Sequence, residues 1–189
     1  MAEIYLVRHG KTRLNDKQII IGHLNPSLMK SSLLETKRLA LKLKDLDFDV
    51  IFSSDLKRAV QTSKIILKYL NYKPKLVLIP ELREINYGKL SGKSKKKILL
   101  DYPLYHKDIN FLNPEGESFK QLYKRSTSFL KKIAPKYDKI LFVTHSGCIR
   151  ALYSYCNNKN LKDNLNLTLG HDKIVKCIVT KKRKSAVFI

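Results

Sequence analysis

The chain alternates short apolar runs with segments in which apolar residues recur every three or four positions. The apolar runs have the length and residue types of buried strands, and they lie at 4–7, 48–53, 76–79 and 140–144. Between the first three runs, the segments 39–46 and 56–70 carry apolar residues on one side of a helix and lysines on the other. This alternation predicts βαβ units and a mainly parallel sheet, which is an α/β fold.

The second half of the chain continues the pattern after an interruption. Periodicity weakens between 86 and 114, where two glycines and two prolines break it, and this stretch is predicted to have little regular structure. Helices are predicted at 118–133 and 147–156, and two short strands at 174–180 and 185–189. We find no repeat and no linker, so residues 1–189 are interpreted as one domain with a cap-like insertion at about 86–116.

Composition excludes several classes of protein. The 189 residues are 43% hydrophobic and 29% charged, which is typical of a globular chain rather than a disordered one. The longest apolar runs are strand-sized, too short to cross a membrane, and Met1–Ile4 has an acidic residue where a signal peptide needs positive charge. A cytoplasmic protein is therefore expected. The 3 cysteines are an odd number without a Cys-x-x-Cys pair, so no disulfide framework or structural zinc is expected.

The chain is strongly basic. It has 38 lysines and arginines against 16 acidic residues, a net charge of +22. Such a field attracts any polyanion, including nucleic acid, an acidic membrane surface or a phosphorylated metabolite. The basic run at 181–184 is interpreted as a solvated turn, and no basic stripe interleaved with aromatic residues indicates nucleic-acid binding. The charge alone does not select the partner.

Unusual polar residues follow three of the predicted strands. Arg8 and His9 follow the first strand, Arg58 begins the helix after the second, and His145 follows the strand at 140–144. Because ligands of open α/β sheets bind beyond the carboxyl ends of the strands, these side chains are expected to converge. Arg58 lies in the first turn of its helix, where the helix dipole favours acidic residues, so its presence suggests a bound anion.

This set of groups suits phosphoryl transfer. Guanidinium groups bind phosphate oxygens in a bidentate manner, and an imidazole can attack phosphorus to form a covalent intermediate. Glu84, just after the third strand, is placed to protonate a leaving alkoxide.

Four ordered blocks then identify a resemblance. They are LVRHGKT at 6–12, SSDLKRAVQT at 53–62, PEGES at 114–118 and VTHSGCIRAL at 143–152. Together they resemble the histidine phosphatase superfamily, in its phosphoglycerate mutase-like branch, from residue 4 to about 155. The resemblance implies a three-layer, doubly wound, mainly parallel sheet with helices on both faces.

The resemblance also implies roles for individual residues. His9 is the expected nucleophile, Arg8, Arg58 and His145 the expected phosphoryl ligands, Glu84 the expected acid and base, and Asn15 a further phosphate contact. No metal and no cofactor are expected. The segment 88–92 replaces the Trp-Glu that most small members carry there, which bears on substrate shape rather than chemistry.

Other polar residues are assigned no part in catalysis. His23, His106 and His171 are interpreted as structural or surface residues, and the segment 170–172 matches no family block. Arg150 is interpreted as a former of structural ion pairs.

We therefore predict a metal-independent phosphomonoesterase that acts on a small phosphorylated metabolite through phosphohistidine. A phosphoglycerate-type mutase on the same fold is the first alternative, and a basic polyanion-binding protein with an idle site is the second. No specific nucleic acid and no membrane are expected as partners, and a monomer and a homodimer both remain open. The substrate itself is not determined by the sequence.

Overall fold

A computed structural model of the chain describes residues 1–105, 107–167, 169–180 and 182–189. Six strands form one sheet, and they are β1 (Ala2–Arg8), β2 (Val50–Ser53), β3 (Lys75–Leu78), β4 (Lys139–Thr144), β5 (Ile174–Val179) and β6 (Lys184–Phe188). Their order is β3-β2-β4-β1-β5-β6. Strands β1 to β4 are parallel to one another, whereas β5 runs antiparallel to β1 and to β6. The predicted mainly parallel sheet is confirmed.

Helices cover both faces of this sheet. The α-helices of the described residues are α1 (Arg13–Asp16), α2 (Ser32–Leu43), α3 (Lys57–Tyr69), α4 (Lys95–Asp101), α5 (Phe119–Ile133) and α6 (Ser146–Cys156). Helices α2 and α3 pack together on one face, and α5 and α6 pack together on the other. This is the predicted three-layer arrangement.

The strand residues alternate between the two cores because successive side chains of a strand point to opposite faces. On β1, Ile4 and Leu6 lie in the core under α5 and α6, while Val7 lies in the core under α2 and α3. Strand β4 repeats the pattern with Phe142 and Val143. Each buried side chain of this size contributes about 1.5–3 kcal/mol, so both layers are held to the central strands.

Helix α5 begins where its sequence predicts. The Ser118 hydroxyl accepts from the Gln121 backbone N–H at 3.2 Å, and the Gln121 side chain accepts from the Ser118 N–H at 2.7 Å. This capping box satisfies backbone donors that a helix start leaves free. The first strand-like run is longer in the structure than predicted, and the second is shorter, because Phe48 lies before β2.

The segment between 86 and 118 contains a helix that the sequence reasoning missed. Helix α4 begins after Ser94, whose hydroxyl accepts from the Lys97 N–H at 3.2 Å, and it buries only Ile98. Ile98 packs with Leu90 and Tyr105 in a small cluster of its own. A helix this short, with one buried position, leaves no repeating apolar pattern, which is why periodicity does not reveal it.

Some residues that the sequence analysis interpreted lie outside the described ones. His106, interpreted as structural or surface, and Lys181, in the basic turn, are two of them. Within the described part of the chain, no helix combines the length and the apolar character needed to span a bilayer.

Candidate active site

The candidate site lies at the carboxyl edge of the parallel strands. Backbone hydrogen bonds continue the sheet pairing one residue past the strands: His9 N–H donates to Thr144 C=O at 2.9 Å, and Ser54 N–H donates to Val143 C=O at 3.0 Å. The residues that follow β1, β2 and β4 are therefore held side by side. The structure brings Arg8, His9, Arg58 and His145 together, as expected from the strand ends.

His9 is 2% exposed, and its two ring nitrogens have different partners. Nδ1 lies 2.7 Å from the Gly10 carbonyl oxygen, which can only accept, so Nδ1 carries the proton. Nε2 accepts a hydrogen bond from Arg58 Nε at 3.1 Å. Burial, with the charges of Arg58 and Arg8, holds the pKa of His9 well below its usual value. The ring is thus neutral at pH 7, with its lone pair on Nε2.

Arg58 is 1% exposed and is held by loop backbone. Its NH1 donates to the Leu24 carbonyl and its NH2 to the Gly22 carbonyl, both at 2.8 Å. Burial lowers the pKa of Arg58 from 12.5 to about 10, so the side chain remains charged at neutral pH. A buried cation at the start of α3, as its place in the helix suggested, faces the imidazole of His9.

Two buried nitrogens in the site lack partners among the described residues. Arg8 donates from NH1 to the Leu169 carbonyl at 2.7 Å, but its Nε is buried without a hydrogen bond. His145 bonds through Nε2 to the Ser54 hydroxyl at 2.8 Å, and its Nδ1 is likewise buried and unpaired. Buried polar atoms are normally hydrogen-bonded, so these two nitrogens indicate a polar ligand. Arg8 Nε can only donate, and His145 Nδ1 also donates in the tautomer in which the Ser54 hydroxyl donates to Nε2.

Glu84 approaches the site from the segment after β3. Its Oε1 accepts from the N–H groups of Ile85 at 3.0 Å and of Gly147 at 3.1 Å, at the start of α6. A Cβ at position 147 would collide with Glu84 Oε1, so glycine is required for this approach. The carboxylate is placed at a helix N-terminus, which favours a negative group.

Asn15 lines the same cavity, and its side-chain oxygen already accepts hydrogen bonds within the protein. Its side-chain oxygen accepts from the backbone N–H and the hydroxyl of Thr12, both at 2.9 Å. This interaction fixes the start of α1. The amide nitrogen is therefore the part of Asn15 that can contact a ligand.

These groups line a cavity of about 130 Å³ that is rich in cations. Arg8 and Arg58 lie within it, and Lys95 and Arg150 add two further positive charges. Among the described residues that line it, Glu84 is the one carboxylate. The prediction that Arg150 forms a structural ion pair is wrong for the described residues. Its Nε donates to the Leu167 carbonyl at 2.8 Å, and no acidic side chain within the described part of the chain pairs with it.

His171, which the sequence reasoning placed outside the site, lies beside the nucleophile candidate. Its ring centroid is 5.6 Å from that of His9, and its Nδ1 bonds to the His9 carbonyl oxygen at 2.5 Å. Burial lowers the pKa of His171 to about 4. The segment 169–172 carries no sequence motif. The contact arises because β5, which follows this segment, pairs antiparallel with β1. His23 was also expected to be structural, and its Nε2 donates to the Glu84 carbonyl at 2.8 Å.

No group of three or more His, Cys, Asp or Glu side chains among the described residues is arranged to hold a metal ion. The three cysteines are buried and free.

Comparison with known proteins identifies relatives over most of the chain. A family model described as the histidine phosphatase superfamily, branch 1, matches residues 4–188. A metal-independent phosphoserine phosphatase of Arabidopsis thaliana is 35% identical over 162 residues, 81% of this chain and 68% of that protein. A 2,3-bisphosphoglycerate-dependent phosphoglycerate mutase of Methanococcus vannielii is 29% identical, over 89% of this chain and 87% of that protein.

Solved structures share the fold. The alpha-ribazole phosphatase of Shigella flexneri superposes with a TM-score of 0.86 at 22% identity, over 97% of this chain and 93% of that one. The family and the fold class predicted from the sequence blocks are confirmed.

Proposed function

Because the chain belongs to the histidine phosphatase superfamily, branch 1, we propose that it is a phosphomonoesterase that transfers the phosphoryl group of a small metabolite to His9 and then to water. The observation that carries this proposal is the state of His9. Its proton is held on Nδ1 by the Gly10 carbonyl, and its Nε2 lone pair faces the Arg58 guanidinium. A neutral imidazole with a fixed lone pair is what attack on phosphorus requires.

The unpaired nitrogens supply the phosphoryl site. With the Ser54 hydroxyl donating to Nε2 of His145, Nδ1 carries the proton and can donate to a phosphoryl oxygen. Arg8 Nε is a second donor without a partner among the described residues. Arg58 Nε would turn from His9 to a phosphoryl oxygen as phosphorus takes up the lone pair. Three donors then neutralise the charge that develops in the transition state.

Glu84 completes the reaction. Protonated, it would donate to the ester oxygen as the bond from that oxygen to phosphorus breaks and the bond from phosphorus to His9 Nε2 forms. The resulting carboxylate would take a proton from water, whose oxygen attacks phosphohistidine and releases inorganic phosphate and neutral His9. General acid or base catalysis of this kind contributes roughly 10²–10⁴ in rate. This cycle needs no metal, which is part of the proposal.

The further cations of the cavity favour an acidic leaving group. Lys95 and Arg150 line the cavity in addition to the phosphoryl ligands, and neither is paired with a carboxylate among the described residues. The names of the two relatives above refer to phosphoserine and phosphoglycerate, which are phosphate esters of small acids. A phosphorylated hydroxy or amino acid is the substrate class that these charges support.

The experiment is turnover and trapping in the presence of a chelator. The purified chain is incubated with ³²P-labelled phosphoserine and 3-phosphoglycerate, quenched, and assayed for released phosphate and for acid-labile, base-stable label on protein. We expect the native chain to release phosphate and to carry label. His9→Ala should do neither, and the control Lys182→Ala, at an exposed position, should do both.

Full activity of His9→Ala would refute the mechanism. Migration of the phosphoryl group to another hydroxyl of the substrate, without phosphate release, would assign the chain to the mutases instead.

A further inference from the structure

The catalytic scheme gives no role to Glu117, although the PEGES block at 114–118 is one of the four sequence blocks that identify the family. Glu117 lies just before α5, outside the catalytic cavity. Its partner is Arg125, two turns along α5. Both side chains are half-buried, at 17% and 24% exposure. This pair lines a separate surface cleft, whose lining includes neither His9 nor Glu84.

The Glu84 segment has little regular structure of its own to hold it. Residues 83–87 lie between two short 3-10 helices, at 80–82 and 88–90, and belong to no strand or α-helix. Glu84 must nonetheless present its carboxylate to the start of α6. Its backbone therefore needs support from side chains elsewhere.

Arg125 supplies that support directly. Its NH2 donates to the Glu84 carbonyl at 2.9 Å, and its NH1 donates to the Glu81 carbonyl at 2.7 Å. The planar fork of a guanidinium fixes both distances at once, which an ammonium group cannot do.

Glu117 supports the other end of the same segment. Its Oε1 accepts from the Asn86 N–H at 2.9 Å, and its own N–H donates to the Asn86 carbonyl at 2.8 Å. The two side chains are joined to each other, with Arg125 Nε 3.0 Å from Glu117 Oε2 and NH2 2.6 Å from Oε1. One ion pair thus holds the chain before, at and after Glu84.

We propose that the Arg125–Glu117 ion pair is a positioning device for the proton-donating carboxyl of Glu84, and that it acts beside the His23 contact to the same carbonyl. This inference rests on the acid role proposed for Glu84. Neither member of the pair lines the catalytic cavity, so neither is a catalytic residue. The pair acts through the Glu84 backbone, and a displacement of about 1 Å at a reacting group can cost about 100-fold in rate.

The test uses the dependence of rate on the leaving group. Three esters of similar size, p-nitrophenyl, phenyl and benzyl phosphate, have leaving groups that need progressively more help from a proton. Rates of phosphoenzyme formation are measured for the native chain, Arg125→Met, Glu117→Gln and Glu84→Gln, with Lys124→Met as the control on the exposed side of the same helix. The ratio of benzyl to p-nitrophenyl rates is taken within one preparation, so it does not depend on how much of a variant is folded.

We expect Arg125→Met and Glu117→Gln to lower that ratio at least tenfold with unchanged KM, in the direction of Glu84→Gln, and Lys124→Met to leave it unchanged. Arg125→Lys restores the charge but not the fork, and is expected to recover only part of the ratio. Equal losses on all three esters in Arg125→Met and Glu117→Gln would overturn the proposal and assign the pair to folding alone. An unchanged ratio in Glu84→Gln would instead refute the acid role of Glu84, and the positioning proposal would fall with it.

Discussion

The substitution Arg58→Met separates an effect on catalytic activity from an effect on the stability of the fold. Arg58 is the largest fully buried side chain of the described residues, and replacement by methionine keeps its length while removing the charge and the donors. Three acceptors lose a partner: the carbonyls of Gly22 and Leu24, and Nε2 of His9.

The effect on stability is small because two terms oppose each other. Leaving the buried Gly22 carbonyl without its donor costs about 1–3 kcal/mol. The Leu24 carbonyl belongs to a residue that is 40% exposed, so water can replace the donor and only the net value of one hydrogen bond is lost, about 0.5–1.5 kcal/mol. Against this, burial lowers the pKa of Arg58 from 12.5 to about 10. That shift corresponds to about 3 kcal/mol of destabilisation of the charged group, which methionine removes. The net change in the free energy of unfolding is expected to lie between a gain of about 2 kcal/mol and a loss of about 2 kcal/mol.

The effect on activity has no such compensation. A charge-assisted hydrogen bond to the phosphoryl group is worth about 1.5–3 kcal/mol, so kcat/KM is expected to fall roughly 10- to 100-fold. Loss of the contact that orients His9 adds to this.

The assay pairs urea unfolding with p-nitrophenyl phosphate turnover, for Arg58→Met and for Lys64→Met, an exposed position on the same helix. Lys64→Met should change neither quantity. A loss of activity below threefold in folded Arg58→Met, or a loss fully explained by its unfolded fraction, would refute the assignment of Arg58 to the phosphoryl site.

Two further predictions concern the loss of stability at low pH and the binding of the substrate. His171 has its pKa lowered to about 4, so between pH 6.5 and 4 the unfolded chain binds more protons than the folded one, and stability falls as the pH drops through this range. By pH 5 the stability lost through His171 amounts to about 2 kcal/mol. Urea unfolding at pH 7.5 and pH 5 should show that His171→Leu reduces the loss of unfolding free energy on acidification by this amount. An unchanged loss would contradict the buried neutral state of His171. Lys95→Met removes a cation from the cavity and should raise KM at least fivefold for phosphoserine or 3-phosphoglycerate, whichever turns over. The KM for p-nitrophenyl phosphate should change less than twofold. Equal changes in the two KM values would show that Lys95 does not contact the acidic leaving group.

Much of the fold was predictable from local patterns. The apolar runs of β1 and β4 are buried on both faces, so they read as continuous strands. Helix α5 has a wide apolar stripe and a capping box that marks its start at Ser118. Both signals depend only on residues close together in sequence, and tertiary packing agreed with them. Helix α4 has a single buried position and therefore no such signal.

The candidate site likewise has residues that the sequence predicts and contacts that it does not. Arg8, His9, Arg58 and His145 follow strand ends, and parallel strands bring their carboxyl ends to one edge, so topology predicted from the sequence was enough to group them. The phosphoryl-transfer roles of these residues stay predictions until the variants above are measured.

The supporting contacts were decided only by the tertiary structure. His171 reaches His9 because β5 turns back antiparallel beside β1, 162 residues away along the chain. Arg125 holds the Glu84 carbonyl across 41 residues. Donor groups that bind backbone carbonyls leave no pattern in the sequence, since every residue offers the same carbonyl acceptor. Which carbonyl is near which side chain depends on how the layers pack, and no local propensity encodes that distance.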